Sequence, residues 1–417
     1  MTPESIIIAG AGLAGATAAR TLRTEGFQGQ ITIAGAESHY PYIRPPLSKE
    51  YLLGKAGEDD VEVVPENWYA DNNVSLRLGV PVTEVDPVSH TVRYADGGSQ
   101  HYGALLLATG ALPRPLQLPG TGLDGVTTFR TLDDSRHLRD LLADGGRNVV
   151  LIGSGWIGME LAAAASSYGN HVTLLGLEAV PLGGAIGPEL GRFFRALHEG
   201  NGVHFRLPAS AREITGHAGK VTGVLTDSGE QLPADIVVIA VGVVPDTALA
   251  GAAGLELRNG ILTDASLRTS APDIFAAGDV ANALHPFTGE HIRSEHWANA
   301  LNGGKVAGKS MLGHDAALDV IPYFYTDQFD VSMEYSGFPS LAAGAAPVLR
   351  GSLESKEFVA FWQREGRVVA GMSVNWPRSS KPSAQKTIKA LISARSEVAA
   401  ETLADPAVPF DQLMPDA

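Results

Sequence analysis

Two stretches of this chain set three glycines at a spacing that can grip a phosphate. Gly10-Ala11-Gly12-Leu13-Ala14-Gly15 and Gly153-Ser154-Gly155-Trp156-Ile157-Gly158 both read G-x-G-x-x-G. In such a turn the first glycine permits the tight bend and the second lets an anion approach the backbone. The third lets the following helix pack closely on its strand. The anion then faces backbone N–H groups at a helix N-terminus, where the helix dipole favours negative charge. One such motif alone is weak evidence, because glycines serve many turns for steric reasons only. Here both copies follow an apolar run, residues 6–9 and 149–152, and precede an Ala-rich helical stretch. That context marks a dinucleotide-binding turn.

The elements around the two turns repeat as well. Each is followed by a second strand, Gln30–Ala34 and His171–Leu175, and the likeness runs on to Glu37 and Glu178. The chain therefore carries two βαβ units. Further strands are expected at 74–78, 82–85, 91–94, 104–108, 236–243 and 274–277, with Asp96-Gly97-Gly98 as one of the hairpin turns. From Tyr323 onward the pattern changes to alternating, aromatic-bearing segments such as 358–362 and 368–374. This suggests an antiparallel sheet with a helix near 383–394. Residues 405–417 contain prolines and read as a loosely held tail. The expected class is α/β: two Rossmann-like domains plus a C-terminal α+β domain.

Composition narrows the function. The chain has 417 residues, 44% hydrophobic and 18% charged, with a net charge of −15. That is enough apolar material for sizeable cores, and the acidic balance argues against a nucleic-acid or anionic-membrane binder. There is no cysteine, which excludes disulfides, thiolate metal sites, iron–sulfur ligation by this chain and any thiol relay. The first residues, Met1-Thr2-Pro3-Glu4, lack a basic signal-type start, and no apolar run reaches the ~18 residues of a membrane span. The expectation is a soluble cytoplasmic protein. Two dinucleotide turns in one chain suggest two dinucleotides exchanging electrons, with FAD resident and NAD(P)H exchanging.

Several motifs carry a family resemblance along nearly the whole chain. They include Arg44-Pro45-Pro46-Leu47-Ser48-Lys49, Ala108-Thr109-Gly110, Phe129-Arg130-Thr131-Leu132-Asp133-Asp134 and Ala277-Gly278-Asp279-Val280. Glu295-His296-Trp297-Ala298-Asn299-Ala300 and Pro322-Tyr323-Phe324-Tyr325-Thr326-Asp327-Gln328-Phe329-Asp330 complete the set. With these the chain resembles the FAD-dependent, NADH-utilising ferredoxin reductases of bacterial oxygenase systems, the putidaredoxin, biphenyl dioxygenase and rubredoxin reductase type. The resemblance implies a glutathione-reductase-like architecture. FAD would sit on residues 1–115 and 246–322, NADH on 116–245, and 323–417 would form the C-terminal domain.

Carried over residue by residue, the resemblance puts Gly10, Gly12, Ala14, Gly15, Lys49 and Val82 around FAD, with Thr109, Gly110, Arg130, Asp279 and Trp297. Arg44 would help neutralise the pyrophosphate, Asp279 would accept from ribityl hydroxyls, and Glu37 is the carboxylate near the adenosine ribose. NADH would meet Gly153, Gly155, Ile157, Gly158, Glu178 and Gly242. The catalytic group would be Lys49, Glu160 and Trp297, with Lys49 near flavin N5 and Glu160 by the nicotinamide, able to pair with Lys49. Two departures stand out. Gly35-Ala36 replaces a common Gly-Asp pair, and Gly176 stands where an acid ordinarily ends the second strand of the NADH unit. A carboxylate there binds ribose hydroxyls and repels a 2′-phosphate. No Arg or Lys between His171 and Glu189 could receive that phosphate either, so NADH is the expected donor.

Without cysteine, electrons must leave the flavin directly, and a one-electron acceptor fits; the resemblance implies that this acceptor is a [2Fe–2S] ferredoxin that feeds a P450 or a Rieske oxygenase. By analogy Trp297, Tyr323, Phe324, Tyr325 and Phe329 line that route, although ordinary packing explains most of them equally well. Ferredoxins are usually acidic, so an acidic reductase needs a local basic face. Arg378, Lys381, Lys386, Lys389 and Arg395 offer one. His285, His291 and His296 lack metal-ligand spacing, and no metal is expected. Two other readings stay open: a flavin-binding sensor or interaction protein with a weakened NAD site, and an NADH oxidase or quinone reductase. Monomer and homodimer are both compatible with the sequence.

Overall fold

The computed structural model describes residues 3–377 and 382–414. Packing gathers the chain into two compact units. One comprises Met1–Pro46, Ala56–Leu112 and Val243–Val320, and the other Leu47–Lys55, Pro113–Gly242 and Ile321–Ala417.

The first unit is built on a five-stranded parallel sheet. Its order is Ile274–Ala276, Ala104–Leu107, Ser5–Ala9, Gln30–Ala34 and Val74–Arg77. Ile6, Ile7 and Ile8 have no exposed surface, as expected of a parallel strand covered on both faces. The helix Leu13–Thr24 crosses between the strands Ser5–Ala9 and Gln30–Ala34 and packs on the helix Trp297–Met311. Small residues make that approach possible, since a Cβ on Gly308 would lie 2.9 Å from Thr21 Cβ.

The second unit repeats the plan. Its parallel sheet runs His204–Arg206, His171–Leu175, Asn148–Ile152, Ile236–Ile239 and Val126–Thr128, with the helix Trp156–Ser167 after the strand Asn148–Ile152. Each parallel sheet is also accompanied by a three-stranded antiparallel ribbon inserted in the chain just before one of its strands, Ala104–Leu107 in the first unit and Ile236–Ile239 in the second. The ribbons are Val82–Asp86, Thr91–Tyr94 and Ser99–His101 in the first unit, and Ala211–His217, Lys220–Thr226 and Gln231–Pro233 in the second. The repeat is therefore longer than the βαβ core that the sequence shows.

The second unit also holds a five-stranded antiparallel sheet, in the order Tyr323–Gln328, Val331–Gly337, Arg367–Val374, Glu357–Arg364 and Val348–Ser352. Its buried residues, among them Met333, Phe358 and Met372, share one apolar core with Val149, Leu151 and Phe194. The helix Ala384–Ser393 lies on this sheet through Ile388, Leu391 and Ile392, and the Ser383 hydroxyl accepts from the Lys386 N–H at its start.

Two expectations need correction. The strand expected over 236–243 ends at Ile239, because Gly242 at φ +93° turns the chain. Val243–Pro245 then pairs with Ala111–Pro113. The tail, as far as residue 414, is not loose. Phe410 and Leu413 are buried, and the buried Arg350 guanidinium donates to the carbonyls of Leu403 (3.5 Å), Pro406 (3.4 Å) and Val408 while lying 4.6 Å from the Phe410 ring.

Candidate functional site

In the first unit the glycine turn closes on the neighbouring strand. Gly10 adopts φ +127°, and a Cβ there would collide with the Ala108 carbonyl. Gly15 is pinned against the Gly10 carbonyl in the same way, whereas nothing lies within 4 Å of a Cβ on Gly12. Gly12 also caps the helix Leu13–Thr24 without any side-chain hydrogen bond. The first turn of this helix therefore has no side-chain cap, and the space beside Gly12 is open, which suits an anionic group. Thr109 secures the adjoining turn by donating to the Asp246 carbonyl at 2.7 Å, and Gly110 follows at φ +75°.

Charged groups gather beside this turn. Gly278, at φ +82°, approaches Ala14 so closely that a Cβ would lie 3.1 Å from the Ala14 Cβ, and the buried Asp279 comes next in the chain. Arg44 Nη2 donates to Glu37 Oε1 at 2.9 Å, and the Tyr42 hydroxyl donates to Glu37 Oε2 at 2.5 Å. Burial works against the Arg44 charge, but Tyr42, Glu37 and Asp279 more than offset it, and its pKa lies above the ordinary arginine value. Burial holds His296 down at about 4, with Asp279 opposing. Trp297 opens its helix, half-buried, and Val82 lies half-buried on its ribbon. An uncapped helix N-terminus, an open glycine and a nearby guanidinium fit the pyrophosphate of FAD.

The second unit has the same cradle. Gly153 at φ +122° backs onto the Ala240 carbonyl, Gly158 onto the Gly153 carbonyl, and Gly155 is open and caps the helix Trp156–Ser167 without a side-chain bond. Ile157 is 44% exposed at this helix start. Gly242, at φ +93°, accepts from the Arg114 N–H at 2.9 Å. Arg130 precedes a helix whose capping box joins Thr131 and Asp134, and its own N–H donates to Asp134 at 2.9 Å. The glycine turn and its uncapped helix start fit the pyrophosphate of NADH.

Gly176 is buried because Ser154 leaves no room beside it. A Cβ there would meet the Ser154 hydroxyl and lie 2.7 Å from Ser154 Cβ and 2.8 Å from Leu207 Cδ2. Glu178 is exposed, and its carboxylate accepts from the Gly184 N–H at 3.1 Å.

One turn along the helix Trp156–Ser167, Glu160 is buried against Lys49. Lys49 Nζ lies 2.8 Å from Glu160 Oε2, with side chains 7% and 4% exposed. Four further residues join this pair, and the sequence reading gave none of them a role. The Ser48 hydroxyl donates to Glu160 Oε2, the Thr326 hydroxyl donates to Oε1 at 2.6 Å, Gln328 Nε2 donates to Thr326 at 3.1 Å, and His198 Nε2 lies 2.8 Å from Gln328 Oε1. Ser48, Thr326 and Gln328 fall within the family motifs, whereas nothing local marks His198. Lys49 also stands 5.6 Å from the centre of the Tyr325 ring, whose hydroxyl burial pushes up to about 12, with Glu50, Asp327 and Glu160 adding to the rise.

The other aromatics are packed. Phe324 meets Trp156 at 5.2 Å and Tyr335 at 5.1 Å, Phe329 meets His198 at 5.0 Å, and the Tyr323 hydroxyl donates to Glu334 at 2.7 Å. Among the basic residues, Lys386 is exposed and Lys389 sits 4.5 Å over the Tyr323 ring. Arg395 is exposed, and Arg378 and Lys381 lie outside the described residues. Among the described residues no three His, Asp or Glu side chains converge to hold a metal, and no helix is long and apolar enough to cross a membrane.

Comparison with known proteins matches this arrangement. Residues 4–304 match the pyridine nucleotide-disulphide oxidoreductase family, and residues 323–414 match the reductase C-terminal family. Rhodocoxin reductase of Rhodococcus erythropolis is 36% identical, over 95% of this chain and 92% of that protein. Putidaredoxin reductase CamA of Pseudomonas putida is 34% identical, over 99% and 97%. The crystal structure of a covalent putidaredoxin reductase–putidaredoxin complex superposes with a TM-score of 0.93 at 33% identity, covering 98% of each chain. The chain belongs to the pyridine nucleotide-disulphide oxidoreductase family, in the branch of the ferredoxin, rubredoxin and putidaredoxin reductases.

Proposed function

We propose that this chain is an NADH:ferredoxin oxidoreductase that passes electrons from NADH through FAD to a [2Fe–2S] ferredoxin serving a P450 or a Rieske oxygenase. The observation that carries this reading is the doubled cradle: each compact unit has a glycine turn with an open, uncapped helix N-terminus. The zero cysteine count supports it, because a thiol-dependent acceptor chemistry has no residue to use. When bound, FAD supplies an acceptor that takes a hydride and releases electrons singly.

The residues divide the remaining work. Backbone amides after Gly12 and Gly155 hold the two pyrophosphates, Arg44 adds positive charge at the first, and Asp279 and Glu37 accept from hydroxyls of FAD. Gly10, Ala14, Gly15, Val82, Thr109, Gly110 and Trp297 shape the remainder of the FAD site. Gly153, Ile157, Gly158, Glu178 and Gly242 do so for NADH. Glu160, one turn below its cradle, would lie toward the nicotinamide end, and it fixes the Lys49 ammonium at 2.8 Å. The pair's burial excludes water from the ion pair itself. Lys386, Lys389 and Arg395 contribute a basic face for the ferredoxin. NADH is an intracellular reductant, so the cytoplasm is the proposed site of work.

An anaerobic visible-absorbance titration with NADH and NADPH in parallel tests the reading. Stoichiometric bleaching by NADH, reversed by an oxidised ferredoxin, is expected. If neither nucleotide bleaches the protein while dithionite does, the reductase assignment fails and a sensor with a disabled nucleotide site replaces it.

A further inference from the structure

We propose that Thr326, Gln328 and His198 form a directional hydrogen-bond relay that holds the Glu160 carboxylate in the orientation it needs to grip Lys49. The role of Glu160 rests on the function proposed above; the direction of the relay rests on geometry alone. Every member is buried: Lys49 7% exposed, Glu160 4%, Thr326 and Gln328 1%, and His198 0%. Buried polar groups must find partners, and here they find each other in single file.

The direction follows from donor counting. Lys49 and Ser48 both donate to Oε2 of Glu160, and an ionised carboxylate only accepts. Oε1 must therefore receive the Thr326 proton. With its hydrogen committed, the Thr326 oxygen accepts, so Gln328 presents its NH2 side at 3.1 Å. The amide oxygen of Gln328 is thereby turned to His198 at 2.8 Å, and His198 Nε2 must carry the hydrogen.

This leaves Nδ1 of His198 buried without a hydrogen-bond partner. The ring packs on Phe205 and Phe329, where a phenylalanine would fill the space without an unmet lone pair. What the imidazole adds is one N–H at the end of the relay. Burial, against the opposing Gln328 contact, holds its pKa down at about 4, so that N–H belongs to a neutral ring.

Charge at Glu160 thus sets the tautomer of a histidine three links away. In Glu160→Gln, Lys49 and Ser48 still require an oxygen, so the new NH2 faces Thr326. Thr326 then accepts, and its own hydroxyl hydrogen finds an acceptor only by turning toward Gln328, in which case the Gln328 amide reverses and its NH2 donates to His198 Nε2. The ring proton must move to Nδ1.

The test is ¹⁵N NMR of histidine-labelled holoenzyme, with the His198 signals assigned by their loss in His198→Gln. The expected result is Nε2–H in the unmodified protein and Nδ1–H in Glu160→Gln; one tautomer in both overturns the directional relay. A second arm reads flavin bleaching by NADH in anaerobic stopped-flow. His198→Phe and Gln328→Leu are expected to lower the limiting rate roughly tenfold with the NADH dissociation constant unchanged. His198→Gln, which returns an N–H to the same end of the relay, restores the rate. Unchanged limiting rates in both His198→Phe and Gln328→Leu overturn the positioning role. If NADH fails to bleach even the unmodified protein, the functional assignment falls, while the NMR result still decides the relay.

Discussion

Ser154 occupies the space into which a side chain on Gly176 would have to grow. The two residues are linked: a serine in the glycine turn makes an acid at the end of the neighbouring strand sterically impossible without movement. Gly176→Asp alone is therefore expected to weaken NADH binding and lower the thermal midpoint. Gly176→Asp combined with Ser154→Gly leaves only the flexible tip of Leu207 to shift aside for a carboxylate that binds ribose hydroxyls, and should lower the NADH Kd roughly tenfold, an effect of about 1.4 kcal/mol. Equilibrium titration of both variants with NADH checks this. A double variant that binds no better than the single one sinks the steric explanation.

The Lys49–Glu160 pair yields a stability prediction of its own. Removing one partner of a buried ion pair leaves an uncompensated charge and costs about 3–5 kcal/mol, whereas replacing both by apolar groups is often nearly neutral. Glu160→Leu should therefore unfold at a lower urea concentration than the double variant Lys49→Met/Glu160→Leu. The reverse order would mean that Glu160 contributes chiefly through Ser48 and Thr326 rather than through Lys49.

These two relationships also show what the amino-acid order can and cannot disclose. The glycine turns were legible because their cause is local: an apolar run, three glycines at fixed offsets and a helix former all lie within a dozen residues. The α/β class followed from the same cause. The Ser154–Gly176 conflict was not legible, because it depends on how closely one strand end approaches a turn 22 residues away. The relay was still less so, with Thr326 separated from Glu160 by 166 residues and His198 from Gln328 by 130. The anchoring of the tail is hidden from the sequence for a similar reason: the carbonyls of Pro406 and Val408 are held by Arg350, more than 50 residues earlier in the chain.

Acid should destabilise the protein through His198. Its pKa in the folded chain is about 4, against 6.5 for an ordinary histidine. Between those values the unfolded chain binds a proton that the folded chain does not, so stability falls as pH drops from 6.5 and the loss is complete near pH 4. The contribution is about 3 kcal/mol. Urea midpoints across this range should fall less steeply in His198→Gln, which cannot titrate. His296, also near 4, titrates in the same window, so some slope will remain. Equal slopes in the two proteins would show that folding does not lower the His198 pKa.

The basic residues proposed for ferredoxin docking differ in how they are held, and this separates their expected effects. Lys386 is exposed on the helix Ala384–Ser393, where a charge acts on an approaching partner with little consequence for the fold. Lys389 lies over the Tyr323 ring, and burial, opposed by Glu334, lowers its pKa. Lys386→Glu is accordingly expected to raise the KM for ferredoxin several-fold and to flatten its dependence on salt, since rim charges act mainly through encounter. NADH-to-ferricyanide turnover should stay unchanged, because a small anion reached by diffusion needs no protein docking face. Lys389→Glu should raise the same KM and also lower the thermal midpoint, having lost the contact with Tyr323. If Lys386→Glu lowers both activities together, the lysine serves the reductive half-reaction, and the docking face must be sought elsewhere on the chain.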